Sequence, residues 1–184
     1  MIIGSSSAGV PIPNKNNISV AFGGGAEPEP ELLWEYTETQ TEASLRPTEA
    51  GRNARIGWRI PSAQNGKSVT SVIFRVKEYN YATGQIWADI YDSTPSLTAT
   101  SVKQDVSTIG ETYDEITFTF DSASEIETGG YIVVTGDFGD STNFVLCTIG
   151  NADGTADSCW VYENGVGWVF LNTLGTWIKV YGIE

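Results

Sequence analysis

The sequence predicts an all-β protein, an antiparallel β-sandwich of jelly-roll type with an extended N-terminal arm. Three observations carry this. From about residue 52 onward, apolar and polar residues alternate with period two in short runs. Glycine-containing turn pairs separate those runs. No stretch of ten or more residues shows the 3.6-residue period of an amphipathic helix.

Residues 1–26 read as the arm. They are rich in Gly, Pro, Ser and Asn, carry Lys15 as their one charge, and space out the apolar residues Ile2, Ile3, Val10, Ile12, Ile18, Val20 and Phe22. Ordering such a segment costs roughly 1–2 kcal/mol per residue in backbone entropy, so it takes a fixed path only against a binding surface. Residues 17–22 alternate apolar and small side chains, which suits addition to an exposed sheet edge on a neighbour; packing back on its own body is the other path open to it.

Residues 27–51 form an acidic Pro/Glu spacer and edge segment. Glu27 to Glu31 alternate with Pro28 and Pro30, which fixes φ and keeps the chain extended. Seven glutamates fall between Glu27 and Glu49, and Arg46, Arg52, Arg55 and Arg59 follow. These charges either pair or line a solvated edge strand.

The sandwich itself spans residues 52–184. Ile56, Trp58 and Ile60 share one face of the first run, and Val72, Phe74 and Val76 one face of the second, with Arg75 and Lys77 opposite. Ile86, Ala88 and Ile90 face inward from residues 85–91. Residues 115–120 give the cleanest alternation, with Ile116, Phe118 and Phe120 on one side. Further strands are expected over 131–137, 144–149, 158–162, 167–171 and 176–181. The turn signals are Asn65-Gly66, Thr83-Gly84, Gly129-Gly130, Asp153-Gly154, Asn164-Gly165 and Leu174-Gly175. Cys147 and Cys159 fall in successive strands, so either a hairpin sets them opposite each other for a disulfide or both are buried thiols.

The elements at residues 68–93, 115–120, 129–134 and 176–182 resemble a jelly-roll module common in phage virion and metagenomic surface proteins. The likeness lies in a strand that leads through a Gly turn into a second strand, a TFTF strand, a GGYIVV strand and a closing KVYG. It covers residues 68–182 and leaves the arm outside. It implies a head decoration, tail or fibre component, or a carbohydrate-binding-like surface domain. Its motifs describe how strands turn, so they speak to fold more than to function.

Composition narrows the function. Ten Lys and Arg stand against 23 Asp and Glu, a formal charge of −13, and there is no histidine. That charge repels phosphate backbones and anionic lipid surfaces, so neither nucleic acid nor membrane is an expected partner. Without histidine there is no Ser-His-Asp or Cys-His chemistry. Residues 23–25 are Gly-Gly-Gly without the Lys-Ser/Thr of a phosphate loop. The N-terminus lacks a basic n-region and a long apolar run, so no secretory signal is expected, and synthesis in a host cytoplasm fits a virion protein. No cofactor and no enzyme activity are expected.

Two clusters remain as candidate sites. Trp87, Asp89 and Tyr91 alternate with the inward residues of their strand, so they line the opposite face. Rings there could stack on a sugar or a neighbouring subunit while the carboxylate takes hydroxyl hydrogen bonds. Trp160 with Tyr162, and Trp168 near Trp177, are similar pairs. Asp137, Asp140, Asp153 and Asp157 flank one strand in loops, and convergence at one end would make a hard-cation site; as ordinary turn formers they need no metal. The resulting expectation is a virion structural protein of a tailed phage. It would be anchored to other subunits, identical or different, through Ile2, Ile3, Ile12, Ile18, Val20 and Phe22. A carbohydrate-binding module or receptor-binding tip for host-surface glycan is the alternative.

Overall fold

A computed structural model describes residues 28–39, 41–151, 159–171 and 174–184. The arm residues Ile2, Ile3, Ile12, Ile18, Val20 and Phe22, together with Asp153 and Asp157, lie outside the described residues.

The chain is all-β, two antiparallel sheets packed face to face as a sandwich. Its strands are β1 (Glu31–Tyr36), β2 (Thr41–Leu45), β3 (Asn53–Arg59), β4 (Ser68–Tyr79), β5 (Gln85–Tyr91), β6 (Leu97–Thr100) and β7 (Gln104–Asp105). They continue as β8 (Asp114–Glu125), β9 (Tyr131–Gly136), β10 (Phe144–Asn151), β11 (Cys159–Glu163), β12 (Gly167–Leu171), β13 (Leu174–Thr176) and β14 (Ile178–Ile183). The first sheet runs β1-β14-β4-β10-β13, with β2 on β10 and β8 on β4. The second runs β12-β11-β3-β9-β5-β6, with β7 also on β5. Most pairs join strands distant in sequence, such as β1 with β14 and β3 with β11.

Alternation fixes which side chains meet between the sheets. Ile56, Ile60, Val72, Phe74, Val76, Ile86, Ala88, Phe118, Ile132 and Val134 are all fully buried in one continuous core. Phe74 and Phe118 stand on neighbouring strands with their rings edge to face, centroids 6.1 Å apart.

Each of the nine strands read from the sequence is present, and β4 and β8 are longer than their alternation indicated. The segment 27–51 contributes β1 and β2 to the first sheet. Glu49 there pairs with Arg46 at 3.2 Å and Arg52 at 3.5 Å. The turn expected at Leu174-Gly175 is instead strand β13. A Cβ on Gly175 would press on the Tyr36 ring at 2.6 Å and on Trp58 at 2.8 Å, so this glycine serves close packing. Of the two arrangements open to Cys147 and Cys159, the hairpin that would set them opposite each other does not form. β10 pairs with β2, β4 and β13 in the first sheet, whereas β11 pairs with β3 and β12 in the second. Cys147 lies buried in the core.

Candidate functional site

Among the described residues, the outer face of the second sheet gathers aromatic, acidic and basic side chains. Register puts Trp87 opposite Thr135, Asp89 opposite Val133 and Tyr91 opposite Tyr131. On the other side of β9, Gly57 meets Val133 and Arg59 meets Tyr131. Beyond β3, Trp160 meets Gly57 and Tyr162 meets Arg55; β12 then adds Phe170 and Trp168. Trp87, Asp89 and Tyr91 therefore share the outer face, as alternation requires.

That face is not open. Asp89 is 4% exposed and Tyr91 8%, while Trp87 is half-buried with Lys103 Nζ over its ring at 4.0 Å. The cover comes from the edge hairpin β11–β12. Trp168 stacks flat on Tyr131, centroids 4.2 Å apart at 10°, and meets Tyr91 edge-on at 5.9 Å. β12 and β9 stand three places apart in the sheet, so this stack requires the hairpin to curl back over the outer face. Gly57 helps, since it contributes no side chain at the centre of that face. Trp160 closes the flank against Tyr131 at 5.6 Å.

Beneath this roof runs a polar chain. Arg55 Nε donates to Tyr91 Oη at 2.9 Å, Tyr91 Oη donates to Asp89 Oδ2 at 3.2 Å, and Thr100 Oγ1 donates to Asp89 Oδ1 at 2.7 Å. The Arg55 guanidinium also sits 4.5 Å from the Tyr162 ring centroid. Burial holds the Asp89 carboxyl above the usual carboxylate range, against the opposing pull of hydrogen bonds from Thr100, Trp87 and Tyr91 and of the Arg55 charge. Burial likewise raises the Tyr91 hydroxyl, with the neighbouring Asp89 charge adding to it.

The sign of the pH effect follows. A folded-state pKa above the unfolded 3.8 means that folding favours protonated Asp89. That contribution is complete below the unfolded value and is lost as pH rises through the folded one. The melting midpoint of Asp89→Asn is therefore expected to rise relative to wild type as pH increases from about 4 to about 7. Melting curves across that range check it; a difference between the two midpoints that does not change with pH contradicts it.

The acidic loops are internally committed. Asp137 Oδ1 accepts from Gln85 N at 2.6 Å. Asp140 Oδ1 accepts from the backbone of Thr142 at 2.7 Å and Asn143 at 2.8 Å and from the Thr142 hydroxyl at 2.9 Å, which holds its carboxyl down to about 2. Among the described residues no group of three or more Cys, Asp or Glu is arranged to hold a metal ion.

No protein-family model matches the chain, and no curated protein matches it.

A second constellation escaped the sequence reading. Tyr79 and Tyr81 are 45% and 79% exposed at the end of β4. Glu78 just before them is 8% exposed, and its Oε1 is sealed from solvent with no hydrogen-bond partner. The signal was available: Val72, Phe74 and Val76 point inward, and the same period puts Glu78 inward too. A carboxylate on a core register breaks the local rule, as residues at functional sites do.

Proposed function

We propose that this chain is a structural subunit displayed on a tailed-phage particle, a jelly-roll sandwich held to neighbouring subunits through residues 1–26. Its work is binding rather than catalysis. The observation that carries the reading is where the first described residues join the sandwich. Residues 28–30 lead directly into β1, an outer strand of the first sheet whose pairing among the described residues is with β14 alone. A segment preceding an outer strand suits the addition of a strand to a neighbour, with main-chain hydrogen bonds for affinity and alternate side chains for register. Pro28, Glu29 and Pro30 also border a groove of about 640 Å³ shared with Phe120, Ser122 and Ile183.

The self-covered face of the second sheet supports the same reading. Its aromatic side chains stack on one another, so that much of their apolar surface is already spent within the subunit. The −13 charge suits a domain turned toward solvent on a crowded particle. Many copies would multiply weak arm contacts by avidity.

The test leaves the body intact. Aspartate at Ile18, Val20 and Phe22 together is expected to abolish association in sedimentation while the melting midpoint stays within about 2 °C of wild type, since each side chain belongs to the arm. Unchanged association of the triple variant would overturn the proposal.

A further inference from the structure

The groove beside Pro28 and Pro30 takes its other apolar lining from Phe120, Ala123 and Ile183. We propose that it receives residues 18–22 of a second copy of this chain, so that two copies exchange arms about a two-fold axis. The inference rests on the assembly reading above and adds the receiving site to it.

The backbone shapes the groove. Among the described strands β8 pairs with β4 alone, which makes it an edge of the first sheet. Along it the register passes from Thr119 opposite Ser71 to Ser124 opposite Val69. Residues 120–123 therefore have only Thr70 across from them, and four residues against one must bow out of the ladder. Asp121, Ser122 and Ala123 are exposed on that bow. The outer side of β8 is taken at Thr117 and Thr119, whose carbonyls accept from Gln104 Nε2 at 2.6 Å and Val102 N at 2.8 Å. Among the described residues that cover stops short of residue 120. Backbone groups released from a ladder at a sheet edge are what an added strand pairs with.

The occupant follows from pattern and charge. An extended segment over residues 18–22 puts Ile18, Val20 and Phe22 on one side and the small Ser19 and Ala21 on the other. The first side matches apolar walls, and the second allows close approach. Lys15 is the one charge in residues 1–26, so the total of −13, less +1, leaves −14 on residues 27–184. Two bodies of that charge repel each other. Residues 16–26 carry no charge at all, and so are the segment that one copy offers another without that repulsion.

Position sets the symmetry. From Phe22 to Pro28 the chain reaches at most about 20 Å, and Pro28 itself borders the groove. The root of the arm and the receiving groove thus lie side by side. A two-fold axis at that place brings each groove within reach of the partner's arm, and the contact closes because each copy both gives and receives. Pro28 and Pro30 disfavour a turn at the residues just before them, which works against an arm that folds back into its own groove.

The experiment uses the full chain. Ser122→Glu with Ala123→Glu places charge in the groove at exposed positions, and Thr112→Glu with Val166→Glu adds the same charge elsewhere. In sedimentation the groove pair is expected to weaken association at least about tenfold, and the control pair to leave it unchanged. Both should melt within about 2 °C of wild type. A groove pair that associates as tightly as wild type overturns the assignment. If aspartate at Ile18, Val20 and Phe22 abolishes association in that case, the arm reading stands and only the groove falls. If it leaves association unchanged, the arm reading falls as well. Val20→Cys with Ser122→Cys identifies the occupant. After oxidation of an equal mixture of isotope-labelled and unlabelled chain, peptides linked between positions 20 and 122 are expected to include labelled–unlabelled pairs. Pairs of like label only would place each arm in its own groove and overturn the exchange, and so would the absence of any such link.

Discussion

Phe118→Ala is expected to lower the unfolding free energy by about 3–5 kcal/mol, the range for an aromatic side chain removed from a closed core. Phe118 is fully buried and shares its edge-to-face contact with Phe74, itself fully buried on the adjacent strand β4. Neither can move to fill the space, because β4 is hydrogen-bonded on both sides, to β8 and to β14. The neighbouring positions give internal controls. Ile116 is only partly buried, so Ile116→Ala should cost less; Thr117 faces solvent, so Thr117→Ala should stay within about 0.5 kcal/mol. Urea denaturation of the three variants measures the pattern. Equal costs at 116, 117 and 118 would contradict the register of β8.

Trp168→Ala is the second large effect, about 2–3 kcal/mol, below the full-burial range because the indole is half-buried. Its consequence is wider than the lost contact. The indole covers Tyr131 and Tyr91 and touches Tyr162 at 5.5 Å, so its removal opens the roof above Asp89. With solvent admitted, the burial that raises the Asp89 carboxyl is relieved, and the pH-dependent gap between wild-type and asparagine versions of residue 89 should shrink in this background. A cost under about 0.5 kcal/mol would show that the hairpin does not hold the face closed.

Much of the fold is legible in the sequence, for a physical reason. A strand with one face in the core must alternate, and β3, β4, β5 and β8 do so through Ile56, Phe74, Ala88 and Phe118. β1 and β2 were legible only as an acidic edge segment without strand bounds, because edge strands carry glutamates on exposed positions and so lose clear alternation. β6 and β7 are four and two residues long, too short for periodicity to register. Gly175 looked like a turn because glycine marks both turns and tight packing, and only the positions of Tyr36 and Trp58 distinguish them.

The candidate site was half legible. Period two placed Trp87, Asp89 and Tyr91 on one face. Their burial depends on an edge hairpin that folds over that face, and alternation within one strand carries no information about a strand three places away. Glu78 is the opposite case. The periodicity of β4 placed it inward from sequence alone, and its charge at that position was the signal.

In the proposed function, residues 1–26 are the assembly device. The most direct measurement is light-scattering mass with limited proteolysis, on the full chain beside residues 27–184, which keep every strand found among the described residues. An oligomer with a protease-protected arm is expected for the full chain, and a folded monomer for the shorter one. Two monomers, with the arm cleaved at once from the full chain, would contradict it.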